Sequence, residues 1–180
     1  MKNTLFTLLL LSIFLIGCKE SETAKPSDNI VYEQINKTVT YPEKDTVRGA
    51  CRKLIFLIVD STPNGFHAVL KENTGIMECS AFNSFLTDSL SSNMLVLDEN
   101  VPVPPGGNWQ GTGSGLILDN YAGKGQKFIG YRAYSYPDGV LAYRYGWIKV
   151  SLSAMHDTLR VISRATNNTY NQPIFTGQTK

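Results

Sequence analysis

Few side chains in this sequence can do covalent or acid–base chemistry. His67 and His156 are its two histidines, and Cys18, Cys51 and Cys79 its three cysteines. A histidine held by a carboxylate can move protons near neutral pH. His156 is followed by Asp157, but successive side chains on a strand point to opposite faces, so that pair cannot act together. Two histidines without a convergent acid cluster do not make a zinc site, which takes three or four protein ligands. "GTGSG" (111–115) resolves into neither of two catalytic loops. Thr112 stands where a nucleophile elbow needs glycine two positions before Ser114. Leu116-Ile117 follows where a phosphate loop needs Lys and Ser/Thr. "DSTPNG" (60–65) is short of calcium ligands: Thr62 replaces the second acid and Lys71 stands in the closing-acid position, with Glu72 one place late. No catalytic residue, metal ligand or cofactor site is expected, and the chain reads as non-enzymatic.

The elements that would carry these residues are strands. Between residues 31 and 180 short β-branched and aromatic runs alternate with Gly, Pro, Asn and Asp, and no helical period of convincing length appears. "KLIFLIVD" (53–60) turns through "STPNG" into "FHAVLKE" (66–72). "FNSFLTDSL" and "NMLVLDENV" are weaker segments, the first open to a short helix or a turn. "VPVPPGGNW" (101–109) has three prolines and cannot be a regular central strand. "DTLRVISRA" (157–165) and "IFTG" (174–177) complete an all-β class, an antiparallel β-sandwich of jelly-roll-like kind.

The clearest local pattern is a hairpin about Pro137-Asp138-Gly139. A turn there pairs Tyr136 with Val140 and hence Arg132 with Arg144, outside the core, beside Tyr134 and Tyr136. Like charges directly opposite destabilise a sheet. Arg132, Tyr134, Tyr136 and Arg144 are therefore candidate ligand-binding residues, unless acids such as Asp119 or Asp138 neutralise the pair. Past Gly146 the apolar phase jumps from 141, 143, 145 to 148, 150, 152, as at a β-bulge.

The N-terminus reads as an export leader. Lys2 precedes an apolar run through Ile16, too short and interrupted for a membrane span. Leu15-Ile16-Gly17-Cys18 resembles the lipobox of bacterial lipoproteins, which implies lipidation of the Cys18 thiol after removal of residues 1–17. Lipid chains contribute about 0.8 kcal/mol per buried methylene, enough with several chains for stable anchoring. Lys19-Glu20-Ser21-Glu22 resembles the acidic signal that sends some Bacteroidota lipoproteins to the outer face of the outer membrane. Residues 18–40 are expected to be a mostly disordered tether, and 41–180 the sandwich domain. In an oxidising compartment Cys51 and Cys79, 28 positions apart, are expected to pair, worth about 3–4 kcal/mol on the chain-entropy model. The whole chain holds 17 basic and 15 acidic residues. That near-balance gives no reason to expect nucleic acid.

"FIGYRAY", "YRYGWIKVSLS" and "LRVISRATNNTYNQPIFTGQ" resemble a β-rich C-terminal module of exported bacterial proteins. Its lines fall on Gly130-Tyr131-Arg132, on Tyr145-Gly146-Trp147-Ile148-Lys149, and on Ala165, Pro173, Ile174 and Gly177. The resemblance implies architecture and carries no catalytic residues. Asp45-Thr46, Asp60-Ser61, Asp88-Ser89 and Asp157-Thr158 resemble the O-glycosylation sequon of exported Bacteroidota proteins, so Thr46, Ser61, Ser89 and Thr158 are candidate acceptors. Together these readings imply a non-catalytic, surface-exposed envelope lipoprotein binding a carbohydrate or protein partner. A cell-envelope hydrolase and a structural subunit of an envelope complex are the alternatives. His67, His156 or Glu78 gathered on Asp119 would favour the hydrolase. A shallow groove with Tyr134, Tyr136 and Arg144 exposed would favour binding.

Overall fold

Long apolar runs punctuated by turn residues give strands, and the computed structural model describes them over residues 29–48, 52–60, 65–77, 82–88, 93–111 and 115–180. In chain order they are β1 (Ile30–Thr40), β2 (Lys44–Arg48), β3 (Arg52–Asp60), β4 (Phe66–Met77), β5 (Phe82–Thr87), β6 (Pro102–Val103), β7 (Asn108–Gly111), β8 (Leu116–Ile117), β9 (Gln126–Ser135), β10 (Ala142–Leu152), β11 (Thr158–Asn167) and β12 (Ile174–Phe175). The protein is an all-β antiparallel sandwich whose sheets do not close into a barrel. One sheet has the order β1-β11-β10-β9-β5-β7, the other β2-β3-β4-β8, and β12 pairs with β6. The consecutive strands β2-β3-β4 and β9-β10-β11 form meanders within a sheet.

Two apolar cores sandwich the six-stranded sheet. Leu54, Phe56 and Ile58 of β3 and Ala68 and Leu70 of β4 meet Ile129, Tyr131, Ile148, Val150, Leu152 and Val161 between the sheets. On the opposite face Phe128, Tyr145, Trp147 and Ala165 pack against Leu86, Leu97, Val103 and Ile174. This two-sided burial corrects the expected bulge at Gly146. The β9–β10 register runs unbroken from Ala142↔Ser135 to Ser151↔Gln126. The apolar phase changes because Tyr145 and Trp147 enter the outer core while Ile148, Val150 and Leu152 enter the inner one. A strand buried on both faces need not alternate. The irregularity lies in the β10–β11 pairing, where Lys149↔Ser163 is followed by Val150↔Val161.

The hairpin register also differs from expectation by one residue. Tyr136 to Leu141 form the connection, with Asp138 at φ 53°, and Ser135 pairs with Ala142. Arg132 therefore faces Tyr145, and Arg144 faces Ala133. A one-residue slip moves a side chain to the other face, so the two arginines lie on opposite faces and the expected Arg–Arg pair does not form.

Residues 30–40, expected within the disordered tether, instead form the edge strand β1, paired along β11 from Ile30↔Asn167 to Thr40↔Thr158. Only Val39 is fully buried there, and an edge strand this polar carries little hydrophobic signal. Glu33 fixes it by an ion pair to the buried Arg164 at 2.8 Å. "FNSFLTDSL" resolves as strand β5 at its start, and the proline-rich stretch yields only the two-residue β6 and the sheet-edge β7. Cys18, Cys51, Cys79, Ser61, Glu78 and Ser89 lie outside the described residues.

Candidate functional site

Two places gather polar chemistry. The first is at one end of the sandwich. The Leu118 N–H donates to the Ala68 carbonyl at 2.9 Å, placing the 3-10 turn Asp119–Tyr121 beside the start of β4. Tyr121 anchors that turn, its buried hydroxyl reaching the carbonyls of Leu95 (2.7 Å) and Phe128 (3.0 Å). Burial without any charge partner pushes the Tyr121 phenol far above its usual range. Asp119 Oδ2 then lies 2.5 Å from His67 Nδ1, and its Oδ1 accepts the Ala68 N–H at 3.3 Å. His156 arrives from the β10–β11 connection at φ 60°, a left-handed conformation that His, like Asn and Asp, adopts more readily than other residues with a side chain. Its Nδ1 is 3.3 Å from Asp119 Oδ1, too poorly aligned for a hydrogen bond.

The carboxylate thus touches one imidazole on each oxygen. A carboxylate on Nδ1 orients the ring and leaves Nε2 outward for proton transfer. All three side chains are a quarter to a third exposed. Among the described residues no hydroxyl or thiol is hydrogen-bonded to either imidazole, and no three His, Cys, Asp or Glu side chains form a metal-holding group. The His67–Asp119–His156 gathering spans 52 and 37 positions of sequence and depends on the β4–Leu118 pairing.

The second place is on the outer face of the six-stranded sheet. The observed register puts Arg132 and Tyr134 of β9 beside Tyr145 and Tyr143 of β10, and β7 brings Trp109 to the same face through its pairing with Leu86. The Arg132 guanidinium sits between two rings, 4.7 Å from the Trp109 centroid and 4.4 Å from that of Tyr143. Tyr145 packs 6.1 Å from Trp109 and 6.3 Å from Tyr143, and the series continues through Tyr134 to Tyr136. Tyr136 is 61% exposed at the open end, beside exposed Val140 and Leu141. Burial raises the Tyr145 phenol, an effect the Arg132 charge partly offsets. Trp109 is a member that the expected Arg and Tyr set did not include, since a loop-flanked edge tryptophan gave no register signal.

Arg144 belongs elsewhere. On the inner face it lies 4.6 Å over the Tyr170 ring and donates to the Tyr170 hydroxyl at 2.7 Å. Hydrogen bonding from Ser135, then the Arg144 charge, holds that phenol below its usual range. Asp119 and Asp138 neutralise neither arginine: among the described residues no carboxylate reaches ion-pair distance of either. The two described sequon residues are half-buried, Thr46 in β2 and Thr158 opening β11. The Thr46 N–H is bonded to Asp45 Oδ1 (2.6 Å) and that of Thr158 to Ser153 Oγ (3.1 Å). No protein-family model, curated protein or solved structure matches this chain.

Proposed function

We propose that this protein is a non-catalytic lipoprotein of the bacterial envelope, anchored by Cys18 at the outer face of the outer membrane, that binds a carbohydrate. What supports the binding reading is the aromatic series on the outer sheet face: Trp109, Tyr143, Tyr134 and Tyr136, running from half-buried to exposed around one guanidinium. Aromatic rings present broad apolar faces at low entropic cost, and tyrosine hydroxyls add polar handles. Sugar rings offer the complementary pattern, apolar C–H faces with polar rims. The supporting rigid sheet is buried on its other side, which keeps the rings in register before a ligand arrives. The test is a glycan array probed with the full-length protein in detergent. Binding that Tyr136→Ala weakens supports the reading, and an array without any signal defeats it. The anchor is tested separately: Cys18→Ser should lose metabolic lipid labelling, and a variant still labelled would refute lipidation there.

A cell-envelope hydrolase is the second reading, supported by the gathering of both His67 and His156 on Asp119. It requires hydrolysis of an ester or glycoside that disappears in His67→Ala while folding persists.

A further inference from the structure

Arg132 is poorly explained by a neutral sugar. A guanidinium carries five N–H donors in one plane. Here Trp109 and Tyr143 both lie within cation–π distance of it. Within the protein its Nε is buried with no hydrogen-bond partner, and its charge and hydrogen bonding act on the neutral Tyr145 phenol. Among the described residues no carboxylate comes within ion-pair distance. Two other described cations do have carboxylate partners, Lys127 with Asp98 and Arg164 with Glu33. A half-buried, ring-clamped guanidinium without a counter-ion is an anion receptor whose geometry is already fixed.

We propose that this face recognises a uronic-acid-containing oligosaccharide, its carboxylate on the in-plane donors of Arg132 and its sugar rings along Tyr134 and Tyr136. The assignment rests on the carbohydrate reading and narrows it. A carboxylate is flat and takes two parallel N–H bonds from one guanidinium, which suits a fork held beside two aromatic rings. Clamping also lowers the entropy lost when the pair forms.

The experiment is titration calorimetry of the full-length protein in detergent with trigalacturonate, with its methyl ester, and with a neutral trisaccharide. The acid should bind at least about tenfold more tightly than the ester, with the preference shrinking as salt rises from about 50 to 300 mM. Arg132→Gln should reduce the acid to the affinity of the ester, and Arg132→Lys, which keeps charge but loses the fork, should also lose most of the preference. Tyr136→Ala, at an exposed position, should weaken acid and ester alike. Equal affinity for acid and ester, or full preference in Arg132→Lys, overturns the uronic acid assignment and leaves carbohydrate binding standing. Absence of binding to all three sugars overturns the assignment, and the array decides the broader reading. Thermal unfolding of each variant guards against misreading a folding defect, and the ester comparison on the unaltered protein stands without any variant.

Discussion

The ring of Tyr131 lies on Gly146, its partner in the neighbouring strand. A Cβ on that glycine would stand 2.3 Å from Tyr131 Cζ and 2.6 Å from the Ala165 carbonyl oxygen. The Tyr131 hydroxyl is hydrogen-bonded to Thr166 Oγ1, so the ring is held across the glycine from both ends. The glycine of Tyr-Gly-Trp is therefore there to be covered. Gly146→Ala should destabilise the fold by about 1–3 kcal/mol, the usual cost of overpacking, measured by urea unfolding. Stability equal to the parent protein would show that the ring moves aside freely.

Alkaline titration reads the buried phenols. Burial raises Tyr121 and Tyr131 above the usual phenol value near 10. Each then stays protonated in the native state while its unfolded counterpart ionises. Their contribution is whole below about pH 10 and is lost as pH climbs toward the native values, at about 1.4 kcal/mol per pH unit for each phenol. Ultraviolet difference absorbance should show these two of the nine tyrosines ionising only with unfolding. Nine phenols titrating together before the fold is lost would contradict their burial.

Asp119 supports three groups at once, so its removal should cost more than that of either histidine. Asp119→Ala leaves the Ala68 N–H and the His67 ring without their acceptor. The loss expected is about 1–3 kcal/mol, while His156→Ala, whose contact is misaligned, should cost less. Equal losses from the two would mean that the carboxylate acts mainly on His156.

Glu33 reports whether β1 belongs to the domain. Glu33→Gln removes the charge facing the buried Arg164, and a drop of about 1–2 kcal/mol is expected at neutral pH. No change in urea midpoint would indicate that β1 contributes nothing to the folded core.

The strand content was readable because β-branched and aromatic runs dominate β3, β9, β10 and β11. Register was not, because the connection after Ser135 takes six residues where a tighter turn fits the same sequence, and one position decides which face holds Arg144. Strand β1 escaped notice for a different reason: its anchoring is an ion pair and ladder bonds to β11, neither of which leaves an apolar pattern. Gly146 pairs with Tyr131 and Trp147 with Gly130, a meeting that follows from the register and not from "GYR" or "YGW" alone. The contact of Asp119 with both imidazoles needed the fold, because nothing local in "LDNY" or "AMHD" says that the two will be neighbours.

The two-sided burial of β10 has a consequence for the clock on which this protein opens. From Gly146 to Ile148 every residue is buried, and the strand is laddered to β9 on one edge and β11 on the other. No small fluctuation can bring water to those amides, since an edge strand fraying or a loop lifting still leaves a strand on one side and a core on the other. Their hydrogens should exchange with deuterium only through global unfolding. Trp147 and Ile148 thus act as a built-in gauge of whole-molecule stability, while the amides of β1 and β7 time the faster, partial openings at the sheet's two borders.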